Sequence, residues 1–224
     1  MSFYTVLIKL DNETIRLLKK DGFKMLVFKG VKSANIGGVL PTVWFTNNLL
    51  ASQISLSWES NYGGYFSDGD LQSGELIEPT FESPMRAGDV MTYNNGIPRI
   101  LTKGGVEGSF SIISDNSSEM ISGFLAKNPN RRLAPVCAFP QFATMNNLVR
   151  PYEKVLILFT QNGLETGTAT STALSVSISI ILTNVNNTAE VAFNINKGWD
   201  TKGNPQATLN PKNFSLAKDL IIPI

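Results

Sequence analysis

Histidine is absent from this chain of 224 residues. That removes the usual general base of neutral-pH catalysis and the commonest metal ligand together. No Ser-His-Asp or Cys-His set can be assembled, and a zinc site of ordinary composition is nearly excluded. Cysteine is almost absent. A single residue, Cys137, permits no internal disulfide. It lies in Pro135-Val136-Cys137-Ala138-Phe139-Pro140, an apolar run that reads as a buried, inert thiol rather than a nucleophile. Charge is sparse: 17% of residues are charged and the net charge is +1. So neutral a chain lacks the basic field that general nucleic-acid binding needs. No apolar run is long enough to cross a bilayer as a helix. No catalytic residue, no cofactor and no nucleic-acid partner is therefore expected.

The opening residues Met1 to Lys9 lack a basic start and a small-residue cleavage site, and they alternate like a strand. Synthesis in the cytoplasm without a signal peptide is expected, with any release by lysis or a leaderless route. The sequons at Asn12, Asn116, Asn186 and Asn213 then carry no glycan.

What the chain does have is β patterning. From Ala173 to Asn196, Leu174, Val176, Ile178, Ile180 and Leu182 alternate with Ser175, Ser177, Ser179, Ile181 and Thr183. Period two puts the two sets on opposite faces of a strand. Asn184-Val185-Asn186-Asn187 supplies turn chemistry, and Val191, Phe193 and Ile195 alternate again. The pattern predicts a long hairpin with a buried apolar face and an outward, hydroxyl-rich one. Val155 to Phe159 is continuously apolar and predicts a central strand buried on both faces. Asn94-Asn95-Gly96 predicts a type I′ hairpin, and Asp115-Asn116-Ser117-Ser118 a further turn. One helix is expected from Glu13 to Lys20, capped by Asn12 and stopped by Gly22, with its acid early and its lysines late. About a dozen short strands follow. The expected fold is all-β: an antiparallel two-sheet sandwich with one short N-terminal helix, a single domain over residues 1–224.

Four aromatics crowd Trp58-Glu59-Ser60-Asn61-Tyr62-Gly63-Gly64-Tyr65-Phe66-Ser67 around a glycine pair. Trp58 alternates with polar neighbours and is expected in the core. Tyr62, Tyr65 and Phe66 read as ligand contacts on a loop, the kind of surface that stacks on sugars or lipid headgroups. Trp44, expected on the polar face of its strand, and Trp199, in Lys197-Gly198-Trp199, join them as ligand-binding candidates. Between Glu59 and Asp89, seven acids (Glu59, Asp68, Asp70, Glu75, Glu78, Glu82 and Asp89) face Arg86 alone. Asp68 and Asp70 are calcium candidates, although the spacing fails the EF-hand pattern. Lys127, Arg131 and Arg132 form a small basic loop able to meet a phosphate or an anionic lipid.

Gly105-Val106-Glu107-Gly108-Ser109-Phe110, with Gly104 before it and a strand after it, resembles a Gly-x-x-Gly-[Ser/Thr]-Phe stretch of aegerolysins and actinoporin-like lectins. The resemblance implies a β-sandwich that binds membrane lipids or glycans. It carries no binding residue across. The function expected is a non-enzymatic, lectin- or cytolysin-like binding protein for glycan or membrane-lipid surfaces. The alternative is a structural protein that self-assembles into a lattice, crystal or filament. Either reading fits a homo-oligomer or higher assembly.

Overall fold

A computed structural model describes residues 2–115, 120–161 and 163–224. The turn expected at Asp115 to Ser118 lies, apart from Asp115, outside the described residues, as does the sequon at Asn116. The chain opens with β1 (Phe3–Leu10), α1 (Asn12–Lys20), β2 (Lys24–Ser33), β3 (Leu40–Pro41), β4 (Val43–Asn47), β5 (Gln53–Glu59) and β6 (Tyr62–Ser67). Its middle holds β7 (Phe81–Met85), β8 (Val90–Asn94), β9 (Ile97–Leu101), β10 (Phe110–Ser114), β11 (Met120–Lys127) and β12 (Leu133–Gln141). The last part holds β13 (Asn146–Thr160), β14 (Ser177–Ile181), β15 (Thr188–Asn194), β16 (Gly198–Asp200), β17 (Ala207–Asn210), α2 (Leu216–Leu220) and β18 (Ile221–Pro223).

The fold is all-β, but among the described residues its strands pair into three sheets rather than two. A four-stranded sheet runs β16-β15-β1-β5 and a five-stranded one runs β3-β12-β11-β6-β7. The nine-stranded sheet is built on β13. On one side β13 pairs with β2, which also carries β4 and β18. It pairs with β10 through its first residues and with β14 through its later ones. The pairing is not purely antiparallel: β1 with β15, β8 with β10 and β2 with β18 are parallel.

β13 is central because its apolar run demands cover on both faces. Val155, Ile157 and Phe159 enter the main core, while Leu156 and Leu158 enter a second core closed by Leu216 and Leu220 of α2. The Asn95-Gly96 turn forms as predicted, both residues having positive φ (49° and 78°), as a type I′ turn requires.

The hairpin expected at Ala173 to Asn196 does not close. β14 stays between β13 and β17, and β15 leaves for the four-stranded sheet beside β1. The two strands have different burial needs. β15 alternates buried and exposed residues, as a one-sided strand does, whereas β14 is covered on both faces. Ser177 and Ser179, expected outside, are only 1% and 2% exposed, and Val176, expected inside, is 46% exposed. The helix cap also shifts: Asp11, not Asn12, caps α1, its carboxylate accepting from the Thr14 backbone N–H at 2.8 Å. The chain end, where no helix is expected, makes α2 behind Ser215 at its N-cap position before it pairs as β18.

Candidate functional site

Two consecutive residues of β13 set the polar interior. Alternation sends Glu153 to the face of Val155 and Lys154 to the face of Leu156. Each finds an opposite charge. Lys154 meets Asp219 of α2, whose other carboxylate oxygen accepts from Ser179 Oγ at 2.6 Å. Glu153 meets Lys29 of β2. Its carboxylate also accepts from Trp58 Nε1 at 2.8 Å and from the Tyr62 hydroxyl. Lys29 is fully buried, and its ammonium lies 5.0 Å from the Trp58 ring centroid and 5.4 Å from that of Trp44. The two indoles meet edge-on at 5.6 Å. Trp44 Nε1 donates to the Ala126 carbonyl of β11 at 2.9 Å.

This knot joins all three sheets: Trp58 comes from the four-stranded one, Lys29, Trp44 and Glu153 from the nine-stranded one, and Tyr62 from the five-stranded one. Burial pushes the Glu153 carboxyl up, but Lys29 and the Tyr62 and Trp58 donors outweigh it and hold the group below the usual carboxylate range. Burial pushes the Lys29 ammonium down, against the pull of Glu153. The Tyr62 hydroxyl is pushed up by burial and then by the Glu153 charge.

On its other side Tyr62 opens to solvent. A cleft of about 840 Å³ lies where the end of the five-stranded sheet parts from the nine-stranded one. Tyr62, Met85, Phe110 and Leu133 give it apolar walls, and Arg86, Lys127 and Arg131 give it positive charge. Tyr62 is fixed from behind, stacked at 5.3 Å on Phe124 and edge-on at 5.6 Å to Phe110. Two carboxylates stand near, and both are engaged. Asp89, on the wall, accepts the backbone N–H of Arg86 at 2.7 Å and of Lys103 at 3.2 Å. Glu59 accepts from Lys127 Nζ at 3.1 Å and from Asn61 Nδ2 at 3.0 Å. A smaller pocket of about 140 Å³ adjoins and shares Lys127 and Arg131 with the cleft.

Of the five aromatic candidates, only Tyr62 lines the cleft. Trp44 is buried, not on a polar face. Tyr65 is buried with its hydroxyl donating to the Cys137 carbonyl at 3.0 Å, and Phe66 is buried against Tyr93 at 5.2 Å. Trp199 is 7% exposed and stacks on Phe159 at 5.5 Å. The reason for the misreading is that Gly63 and Gly64 mark a strand interior rather than a loop. A Cβ on Gly63 would meet the Ser83 carbonyl oxygen at 2.6 Å, and one on Gly123 would meet the Tyr65 ring at 2.1 Å. The glycines admit close neighbours. Asp68 and Asp70 are exposed, and no group of three or more His, Cys, Asp or Glu side chains converges among the described residues. Calcium therefore gains no ligand set there. Cys137 is buried as expected, its thiol pushed up to about 12 by burial.

Sequence reasoning missed Arg86 and Phe110, whose contribution depends on strands brought together from distant stretches. The glycine-rich stretch before β10 does border the cleft, through Gly108 and Phe110. Comparison with protein-family models, with curated proteins and with solved structures returns no match.

Proposed function

We propose that this chain is a non-enzymatic binding protein whose Tyr62 cleft engages glycan or membrane-lipid surfaces. The observation that carries the reading is the cleft. Its volume suits a small ligand or headgroup, and a rigid aromatic wall stands beside a few polar groups. Its two nearby carboxylates are held in internal hydrogen bonds, which argues for positioning rather than acid–base work. The aegerolysin-like and lectin-like resemblance belongs to the same reading, because Gly108 and Phe110 of that stretch line the cleft. The test is Thr102→Trp, which fills the cleft from an exposed position. Liposome co-sedimentation and glycan-array binding should fall while the thermal midpoint holds. Binding at the unmodified level by a folded Thr102→Trp protein would remove the cleft from the function.

The assembly reading keeps one observation of its own. β17 ends the nine-stranded sheet, and Leu209 on it is 54% exposed. An edge strand with an exposed apolar side chain is open to pairing with another copy. Leu209→Lys should then reduce particle size in light scattering without lipid. An unchanged size distribution would set that edge aside.

A further inference from the structure

Resting on the cleft as the binding site, we infer that its ligand is a phosphate ester carried on a polyol body, with the ester between Arg86 and Arg131 and the ring against Tyr62. The placement of the cations is the argument. In the five-stranded sheet Met85, Tyr62 and Ala126 stand side by side in register. Arg86 follows Met85 and Lys127 follows Ala126, so these two cations close the ends of strands on either side of β6. Two strand spacings, about 9–10 Å, separate those backbones. Long basic side chains reach a shared group across that gap.

Arg131 is held at the same mouth by a built turn. The Asn128 side chain, 6% exposed, accepts the backbone N–H groups of Asn130 at 3.0 Å and Arg132 at 3.2 Å. The Arg131 backbone N–H donates to the Asn128 carbonyl at 2.8 Å. Arg131 itself has φ 62°, a left-handed conformation uncommon for a residue with a side chain. Asp89 performs the matching task for Arg86 by fixing its backbone N–H.

Among the described residues neither Arg86 nor Arg131 makes an ion pair, whereas Lys127 has Glu59. Three cations against two carboxylates leave the mouth positive. Two free guanidinium forks match the several oxygens of a phosphate, which carries about −1.5 to −2 charge at neutral pH. A polyol ring fits beside them because Tyr62 offers an apolar face, while Ser60, Asn61 and Thr102 offer polar contacts. A free sugar or inositol phosphate and the headgroup of a phosphorylated glycolipid or inositol lipid share this chemistry.

The experiment is calorimetric titration of the full chain with inositol trisphosphate and with inositol. A second arm uses phosphatidylcholine vesicles with and without phosphatidylinositol phosphate. Inositol trisphosphate should bind and inositol should not. Arg86→Ala and Arg131→Ala should each weaken binding at least tenfold, and rising salt should weaken it further. Lys212→Ala, an exposed cation that does not line the cleft, should leave affinity and thermal midpoint unchanged. Vesicle binding that depends on the phosphorylated lipid assigns the ester to a membrane; its absence, with inositol trisphosphate bound, assigns it to a free ligand, and failure of both phosphate probes would overturn the phosphate assignment. Equal binding of inositol and its trisphosphate, insensitive to both arginine changes but lost in Thr102→Trp, would overturn the phosphate assignment and leave the cleft as a neutral-sugar site. No loss in Thr102→Trp for any probe would overturn the cleft reading beneath it.

Discussion

Glu153 is the residue on which the interior depends. Its carboxylate sits between Lys29, Trp58 and Tyr62, with only 10% of its side chain exposed. A buried pair contributes little net stability, because desolvation offsets attraction, but removing one partner strands the other charge. Glu153→Gln should therefore cost about 3–5 kcal/mol in urea unfolding. Lys29→Met combined with Glu153→Gln should restore most of that loss, because the stranded ammonium is gone and the amide still offers an acceptor to Trp58 and Tyr62. A single Glu153→Gln change within about 0.5 kcal/mol of the parent would show that Lys29 sheds its charge without cost. The pH dependence follows the direction of the shift. The folded pKa of Glu153 is depressed, so its contribution is complete above the unfolded value of about 4.3 and is lost as pH falls through the folded value. Acid titration of stability should thus steepen below about pH 4 in the parent and flatten there in Glu153→Gln. Cys137 gives a simpler outcome. Its buried thiol, held up near 12, should react slowly with thiol reagents in the native protein and quickly in denaturant. Immediate native labelling would mean that β12 is open.

At the scale of the element, β14 is the informative strand. Its serines look interchangeable in the sequence, yet their surroundings differ. Ser179 Oγ donates to Asp219 and accepts from Asn210 Nδ2 at 2.7 Å, so it ties β14 to α2 and β17. Ser177 Oγ is buried with no hydrogen-bond partner among the described residues. Ser179→Ala should cost about 1–3 kcal/mol by leaving part of that polar cluster unpaired. Ser177→Ala should cost nothing measurable or stabilise, since it removes an unpaired buried hydroxyl. Equal losses for the two would show that Ser177 finds a partner in solution. The same geometry means that Ser177→Lys, harmless on an open face, buries a charge and should prevent folding. The β11–β12 turn behaves similarly. Its sequence reads as a small basic loop able to meet a phosphate, without saying which charge is presented; the Asn128 bonds and the left-handed Arg131 backbone make it a fixed presentation of one guanidinium.

For the whole molecule, the Lys29–Glu153 knot draws on all three sheets, so none can lose its packing there without exposing the others. Calorimetry should record one cooperative transition, shifted intact to lower temperature by Glu153→Gln. Two separable transitions would show that the sheets unfold as independent units.

The sequence alone determined what local pattern and composition control. The all-β class, the core strand at Val155 to Phe159, the Asn95-Gly96 turn, the buried Cys137 and the lack of any histidine chemistry follow from period, turn residues and counts. Tertiary structure decided what depends on which strand lies beside which. Period two states that Ser177 and Ile178 face opposite ways, but not whether the far face meets water or a helix such as α2. Five aromatics carry the same apolar signal, and only packing separates Tyr62 at a cleft from Trp44, Tyr65, Phe66 and Trp199 inside. Glu153 and Lys154 read as two ordinary charges. Their partners Lys29 and Asp219 lie far away along the chain, and only the folded sheets bring them within reach. Burial and long-range pairing belong to the assembled surface rather than to any stretch of residues, and so the site was decided where the sheets meet.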